Sequence, residues 1–161
     1  AKEKMKPAHY RDIRPDEIPT AAFADGVTAR VIAGELDTGE GTMRGPIHGL
    51  STEPLYFDVR LAAGATFTQA VPDGHTVFVY SYEGQLAIGP VDAARNLEPH
   101  SAGALIGGDA VRVTAVDGPA AFLLLAARPI GEPVVQYGPF VMNTREEIEQ
   151  AINDYQNGTL A

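Results

Sequence analysis

Residues 76–89, TVFVYSYEGQLAIG, decide the fold class of this chain. Successive side chains of a β-strand point to opposite faces. Val77 and Val79 therefore share one face, and Phe78 and Tyr80 share the other. Such alternation of β-branched and aromatic residues predicts a half-buried strand.

Short apolar runs of the same kind recur along the chain, each bounded by turn residues. We expect Gly84 to turn the first strand into a second one. The predicted strands, of about four to eight residues at 8–12-residue spacing, favour a sandwich or barrel over βαβ units. They lie at residues 27–33, 55–61, 65–70, 76–82, 85–89, 104–106, 111–116, 122–127 and 134–137.

The two ends of the chain differ from this middle part. Residues 1–26 are rich in proline and charge, which predicts an extended arm or interdomain linker without a helix. The barrel is expected over residues 27–143. Thr144 and Glu147 form a capping-box pattern, which predicts a helix over residues 144–158. Its apolar stripe consists of Ile148, Ala151, Ile152 and Tyr155.

Composition excludes several classes of protein. With 161 residues, 45% of them apolar and 20% charged, the chain is long enough for one well-buried core and is not disordered in composition. Its net charge of −9 disfavours direct binding to nucleic acid or to an anionic membrane. It has no apolar stretch of about 18 residues and no signal-peptide pattern, and a cytoplasmic location is expected. The absence of cysteine leaves the redox compartment open.

A barrel of this kind can hold a metal ion at its open end, so the sequence should be searched for metal ligands. Cupin barrels carry a motif in which two glycines bracket an H-x-H pair and a glutamate. Gly64 and Gly84 have that spacing, but the ligand positions between them hold Ala70, Pro72 and Val77. None of these three side chains can bind a metal, so these positions are degenerate. The second motif, expected near residues 108–113, also lacks a histidine.

The remaining candidates for chemistry are isolated. His9, His48, His75 and His100 show no ligand spacing. We expect ordinary surface or hydrogen-bonded histidines, with a pocket role open for His75 or His48. The aromatic run of residues 78–82 is expected in the barrel core, with a ligand platform as the alternative.

The segment before the helix is the most distinctive part of the chain. Phe140, Val141 and Met142 are three consecutive apolar residues between Pro139 and Asn143, just ahead of the cap. Such a segment packs either on its own barrel or on another domain. Both interpretations stay open from these residues alone.

At this point the sequence resembles the pirin family. The stretch EPVVQYGPFVMNTREEIEQAINDYQNG, residues 132–158, is similar to the family's C-terminal signature. The resemblance extends back to the KMKP stretch at residues 4–7, the interdomain linker, and so covers nearly the whole chain.

The resemblance implies function as well as fold. Pirins are similar to two tandem cupin domains, and this chain looks like the linker plus the C-terminal, metal-free one. The metal site of three histidines and a glutamate, holding Fe, Ni, Mn or Cu, is expected in the N-terminal cupin domain, with no cofactor and no catalytic residue in this chain.

The family is linked with quercetin 2,3-dioxygenase activity on a flavonol substrate and with non-enzymatic regulation through a protein partner. The resemblance also favours an interdomain contact at Pro139, Phe140, Val141, Met142 and Asn143. The two function hypotheses are thus a scaffold for a catalytic half and a protein-binding regulatory module.

Overall fold

A computed structural model describes residues 6–7 and 10–160 of the chain. The chain forms two compact units. One is Ile13–Pro129, and the other combines the described parts of Ala1–Asp12 and Ile130–Ala161. None of the described helices is both long enough and apolar enough to cross a membrane.

The described residues contain twelve strands, one α-helix and a short 3₁₀ helix at Pro15–Glu17. The strands are β1 (Thr20–Ala22), β2 (Val27–Ala33), β3 (Glu35–Asp37), β4 (Thr42–Arg44), β5 (Leu55–Leu61), β6 (Thr66–Ala70), β7 (Thr76–Ile88), β8 (Arg95–Leu97), β9 (Ser101–Leu105), β10 (Ala110–Ala127), β11 (Val135–Tyr137) and β12 (Phe140–Met142), and the helix is α1 (Arg145–Asn157).

Eight of the described strands form one antiparallel sheet in the Ile13–Pro129 unit. Its order is β1-β2-β5-β10-β7-β8, with β6 added to β10 and β9 added to β7. Strand β10 pairs with three strands, β5, β6 and β7. It therefore connects the parts of the sheet to one another. The predicted all-β antiparallel class with one C-terminal helix is confirmed.

The core of this unit is made mainly of alternate side chains of its longer strands. In β2 and β5 every second residue is buried, as the period of two requires. Each fully buried Val, Leu or Phe contributes about 1.5–3 kcal/mol to stability. The largest fully buried apolar side chains are Phe57, Phe122, Leu36, Leu86, Leu124, Val31, Val59, Val79 and Val113.

Strand β7 is longer than predicted, because Gly84 does not end it. Gly84 lies at φ +69 and bends the strand, and the hydroxyl of Ser81 donates to its carbonyl oxygen at 2.8 Å. The inward positions change phase across this bend, from Val79 before it to Leu86 after it. The glycine therefore forms an irregularity within one strand, and the predicted turn is wrong.

The same irregularity joins two predicted strands into β10. The register of β10 against β7 shifts between Val116 and Ala121, and again before Phe122. Asp117 lies at φ +58 within this shift. The predicted strands at residues 111–116 and 122–127 are consequently one strand of 18 residues.

The segment predicted as an arm or linker contributes to the sheet. Residues 20–22 form β1, which pairs with β2 through Thr20 and Arg30, and Ala21 is buried. The sheet therefore begins before the predicted start at Val27. It ends at Ala127, before the predicted barrel end at residue 143. Residues 1–5, 8 and 9 lie outside the described part.

The second unit contains a hairpin and the C-terminal helix. Strands β11 and β12 pair with each other through a two-residue turn, in which Gly138 has φ +55. Helix α1 carries the predicted capping box: Thr144 accepts from the Glu147 amide at 3.2 Å, and the Glu147 carboxylate accepts from the Thr144 amide at 3.0 Å. Gly158, at φ +69, ends the helix in a left-handed cap.

Candidate functional site

Two of the three predicted ligand positions, Ala70 and Pro72, lie at and just beyond the end of β6. Ala70 and Pro72 are exposed, whereas Gln69 and Val71 are buried. Glycine spacing does not fix the phase of a strand, and pairing with β10 decides which side chains face inward. The inward pair in this part of the barrel is therefore Gln69 and Val71. Val77, the third predicted position, is buried.

Gln69 is the one polar side chain that β6 buries, with 6% of its surface exposed. Its amide nitrogen donates to the carbonyl oxygen of Ala70 at 2.9 Å. Its Oε1 is buried and accepts no hydrogen bond from the described residues. Directly across the sheet lies Val111, which offers no donor or ligand atom.

No group of three or more His, Cys, Asp or Glu side chains within residues 6–7 and 10–160 is placed to hold a metal ion. The inward positions Val71, Val77 and Val111 offer hydrocarbon only. A divalent metal needs oxygen, nitrogen or sulfur ligands. These residues therefore do not fit a metal ion.

A cavity of about 790 Å³ opens beside the end of β6. It lies entirely in the Ile13–Pro129 unit, between the β3–β4 hairpin, the following loop and β6. Residues that line it are Gly34, Glu35, Asp37, Gly41, Thr42, His48, Gly49, Leu50, Glu53, Pro54, Leu55, Gln69, Ala70 and Pro72. We call it the β3–β6 cavity.

Two carboxylates of the β3–β6 cavity are paired with arginines that do not line it. Glu35 pairs with Arg44 at 2.5 Å, and Glu53 pairs with Arg128 at 2.5 Å. The third carboxylate, Asp37, accepts a hydrogen bond from the Gly39 amide at 2.8 Å. Asp37 is therefore the carboxylate of this lining that has no basic partner among the described residues.

The three histidines that the structure describes have different surroundings. His48 lines the β3–β6 cavity, whereas His75 does not. The Nε2 of His75 lies 3.0 Å from the carbonyl oxygen of Glu53, and its Nδ1 is buried without a partner among the described residues. His100 is exposed at φ +61, and His9 lies outside the described residues.

The aromatic residues of β7 lie on the outer face of the sheet, so their predicted place in the core is wrong. Phe78 is 42% exposed, and Tyr80 and Tyr82 are half-buried, because the alternation gives the inner face to Val77 and Val79. Together with the outward residues of β10, the aromatic rings cover the outside of the barrel.

Tyr82 is held by a charged cluster on this outer face. Its hydroxyl donates to Asp58 at 2.5 Å, and the Arg60 guanidinium lies 5.7 Å from the ring centroid. Partial burial and the hydrogen bond to Asp58 raise the pKa of Tyr82 to about 12. The Tyr82 phenol therefore releases its proton at a higher pH than an ordinary tyrosine.

The five residues predicted at an interdomain contact lie in the β11–β12 hairpin and just beyond it. The ring of Phe140 lies 6.0 Å from that of Tyr155 in an edge-to-face arrangement. The Asn143 side chain donates to the carbonyl oxygen of Pro133 at 2.7 Å. Phe140 thus contacts the helix of its own unit, while Pro139 at the hairpin turn is exposed.

Apolar surface remains exposed around this hairpin. Val134 is 75% exposed and Tyr137 is 68% exposed. A groove of about 500 Å³ follows the hairpin and α1, and its lining includes Tyr137 and Ile152. We call Val134, Tyr137 and Pro139 the hairpin surface.

Comparison with known proteins identifies the family. Residues 56–161 match the model of the pirin C-terminal cupin domain. Human pirin is 43% identical over 96% of this chain and 52% of its own length. A Pseudomonas aeruginosa protein provisionally named as a quercetin 2,3-dioxygenase is 44% identical over 100% of this chain and 56% of its own length. The chain spans about half the length of the curated relatives it matches.

Solved structures give the same fold. The crystal structure of a quercetin 2,3-dioxygenase from Acinetobacter baumannii superposes with a TM-score of 0.81 at 33% identity. The match covers 99% of this chain and 53% of that one. The barrel is therefore of the predicted cupin type, and the chain belongs to the pirin family, in which it matches the C-terminal cupin domain.

Proposed function

We propose that this chain is the metal-free C-terminal cupin domain of a two-domain pirin protein, in which it acts as a scaffold for an N-terminal metal-binding cupin domain. The observation that carries the proposal is the lack of grouped ligand side chains: within residues 6–7 and 10–160, no three or more His, Cys, Asp or Glu are placed to hold a metal ion. The positions that the cupin motif gives to ligands hold Ala70, Pro72 and Val77. A barrel without such ligands would contribute a rigid surface instead of a reaction centre.

The whole two-domain protein would act as an oxidoreductase of the quercetin 2,3-dioxygenase kind. Support comes from the Acinetobacter baumannii dioxygenase, which is 33% identical to this chain. A metal of the N-terminal domain would supply Lewis acidity for the flavonol's 3-hydroxyl. The role of this chain's residues would be to hold that domain in position.

The hairpin region would provide the contact between the two domains. Pro139, Phe140, Val141, Met142 and Asn143 form or follow its turn, and exposed apolar surface lies beside them at Val134 and Tyr137. Exposed apolar residues that cluster in this way are typical of protein contacts. The N-terminal cupin domain is the partner we assign to them.

Metal analysis and a turnover assay test the scaffold proposal together. The purified 161-residue chain should hold well under one equivalent of Fe, Ni, Mn, Cu or Zn, and quercetin added to it should not be consumed. Adding the N-terminal half encoded upstream in the same gene should restore both metal content and oxygen-dependent loss of quercetin. Turnover by this chain alone that a substitution at Gln69 abolishes would contradict the proposal.

The alternative is a non-enzymatic regulatory module that binds a protein partner. The observation that favours it is the same exposed apolar surface at the hairpin, which would then contact a separate protein. The assay above distinguishes the two functions. A two-domain protein with full metal content that binds quercetin without consuming it supports the regulatory module.

A further inference from the structure

The C-terminal end of α1 carries an asparagine followed by a glycine, a pair that the proposed scaffold role does not use. Asn157 is the last residue of the helix, and Gly158 is its C-cap. The chain has four asparagines, and only Asn157 precedes a glycine, since the other three precede Leu97, Thr144 and Asp154. Both members of the pair are exposed to solvent. The side-chain amide of Asn157 therefore has a neighbour that the other three amides lack.

An asparagine before a glycine can lose its amide through the backbone of the next residue. The nitrogen of Gly158 attacks the side-chain carbonyl carbon of Asn157, and the new C–N bond closes a five-membered succinimide ring. Ammonia leaves with the hydrogen of the Gly158 amide. Water then adds to either ring carbonyl and breaks its C–N bond, which gives aspartate or isoaspartate. A glycine favours this attack, because it has no side chain and has the widest choice of backbone angles.

In the folded helix, the attacking nitrogen is held by the C-terminal cap. The Gly158 N–H donates to the carbonyl oxygens of Asp154 and Tyr155, and its nitrogen lies 3.2 Å from the oxygen of Tyr155. The Thr159 amide donates to the same Asp154 carbonyl oxygen at 2.8 Å. Closure of the ring needs a backbone angle at Asn157 outside the helical range. The reaction therefore requires these cap hydrogen bonds to open.

We propose that Asn157 is a deamidation site and that opening of the last turn of α1 sets the rate of its modification. The last three residues of the helix, 155–157, are exposed, so backbone hydrogen bonds rather than burial keep this turn closed. A turn held in this way at the end of an element opens at a small cost in free energy. The folded chain therefore reacts slowly at Asn157 instead of being fully protected.

The products of deamidation are unfavourable at this end of the helix. Each of them adds a negative charge where the helix dipole is already negative. The last turn has no basic residue that could offset this charge. Isoaspartate also adds a methylene group to the backbone, which interrupts the regular spacing of the helix hydrogen bonds. Deamidation therefore weakens the cap that had slowed it, and the last turn of α1 stays more open afterwards.

Ageing of the folded 161-residue chain in mildly alkaline buffer tests the site and its gate. We expect peptide mass spectrometry to find aspartate and isoaspartate at residue 157, while Asn96, Asn143 and Asn153 keep their amides over the same period. The same chain in concentrated urea should convert Asn157 about tenfold faster, because the cap is then absent. Equal rates in buffer and in urea would overturn the gate. Conversion of Asn143 or Asn153 without conversion of Asn157 would overturn the site.

Two variants at the same position test the effect on the helix. Asn157→Asp reproduces one product, and amide hydrogen exchange over residues 154–157 should be about two- to fivefold faster than in the parent. Asn157→Ser removes the reactive amide without adding a charge, so its exchange should match that of the parent and it should not change on ageing. Exchange that is equally fast in both variants would show that the charge is not the cause. Unchanged exchange in Asn157→Asp would show that the aspartate product leaves the turn closed, and would overturn this effect.

Discussion

Gly84 shows how one residue controls the path of a strand. It lies at φ +69, and a Cβ atom there would collide with the carbonyl oxygen of Pro119 and with Ala120. Both neighbours belong to β10, so the close approach joins the irregular parts of two paired strands. Only a residue without a side chain fits both the backbone angle and the gap.

We therefore expect Gly84→Ala to lower the free energy of unfolding by about 2–3 kcal/mol. Chemical denaturation, monitored by circular dichroism, measures this change in the free energy of unfolding. The matched control is Gly118→Ala in the same irregularity, where a Cβ meets nothing within 4 Å. A loss of stability as large at Gly118 as at Gly84 would show that the collision is not the cause.

The raised pKa of Tyr82 makes the titration of the surface cluster detectable in alkaline solution. Its pKa is raised from 10.0 to about 12 in the folded protein, so the folded state holds the phenolic proton after the unfolded state has released it. The stabilisation from Tyr82 is therefore complete below pH 10 and is lost as the pH rises from 10 to 12.

In Tyr82→Phe this part of the pH dependence should disappear. Ultraviolet titration of tyrosinate should lose the component with a midpoint near pH 12, and unfolding curves should fall less steeply between pH 10 and 12 than in the parent. Tyr80→Phe, on the same strand and face, is the control and should keep the late component.

Among the structural elements, α1 depends most visibly on its first turn. The Thr144 hydroxyl accepts from the Glu147 amide, and the Glu147 carboxylate accepts from the amides of Asn143 and Thr144. These bonds use donors that would otherwise be unpaired at the start of a helix.

Thr144→Ala should cost about 1 kcal/mol of helix stability. Amide hydrogen exchange over Arg145–Asn157 measures it, because the change should raise the exchange rates of the helix and leave those of β10 unaltered. Asn153→Ala, at an exposed position in the same helix, should not raise them. Faster exchange in both variants would argue against the cap as the source.

The elements differ in how far the sequence predicts them. The capping box and the alternation in β2, β5 and β7 are local signals, and the predictions from them are confirmed. Gly84 carries the same local signal for a turn as for a bulge, and only its pairing with β10 distinguishes them. Strand β1 is short and holds two alanines, so its strand propensity is low and its pairing with β2 decides its state.

At the scale of the whole molecule, substitutions in the hairpin surface test the two-domain proposal. Phe140 contacts Tyr155, so Phe140→Asp would damage the unit itself whether or not another domain binds. Val134→Asp and Pro139→Asp change exposed residues instead. We expect each to leave the melting temperature of the 161-residue chain within about 2 °C, because exposed substitutions change stability little.

The same two variants should weaken association with the N-terminal half by about tenfold or more, measured by analytical ultracentrifugation of the mixed halves. Val91→Asp is the control. Val91 is equally apolar and 80% exposed, but it lies in the Ile13–Pro129 unit. If Val91→Asp weakens association while the hairpin variants do not, the contact lies on the barrel and the assignment to the hairpin is wrong.

The candidate sites were less predictable than the fold. The β3–β6 cavity is lined by residues from Gly34 to Pro72, which come together only because β3 folds beside β6. No short spacing in the sequence signals such a set. Glycine spacing points to Ala70 and Pro72, and a difference of one residue exchanges the inner and outer faces of a strand. Glycine spacing alone therefore does not show that the buried polar side chain here is that of Gln69.

The central place of β10 in the sheet bears on how the protein is made. Its partners β5, β6 and β7 all precede it, and no stable barrel can close before residues 110–127 have left the ribosome. Until then, the apolar faces of the earlier strands have no partner strand to complete the core. During synthesis the nascent chain should be a client of holding chaperones, and translation arrested ahead of residue 110 should leave it open to protease.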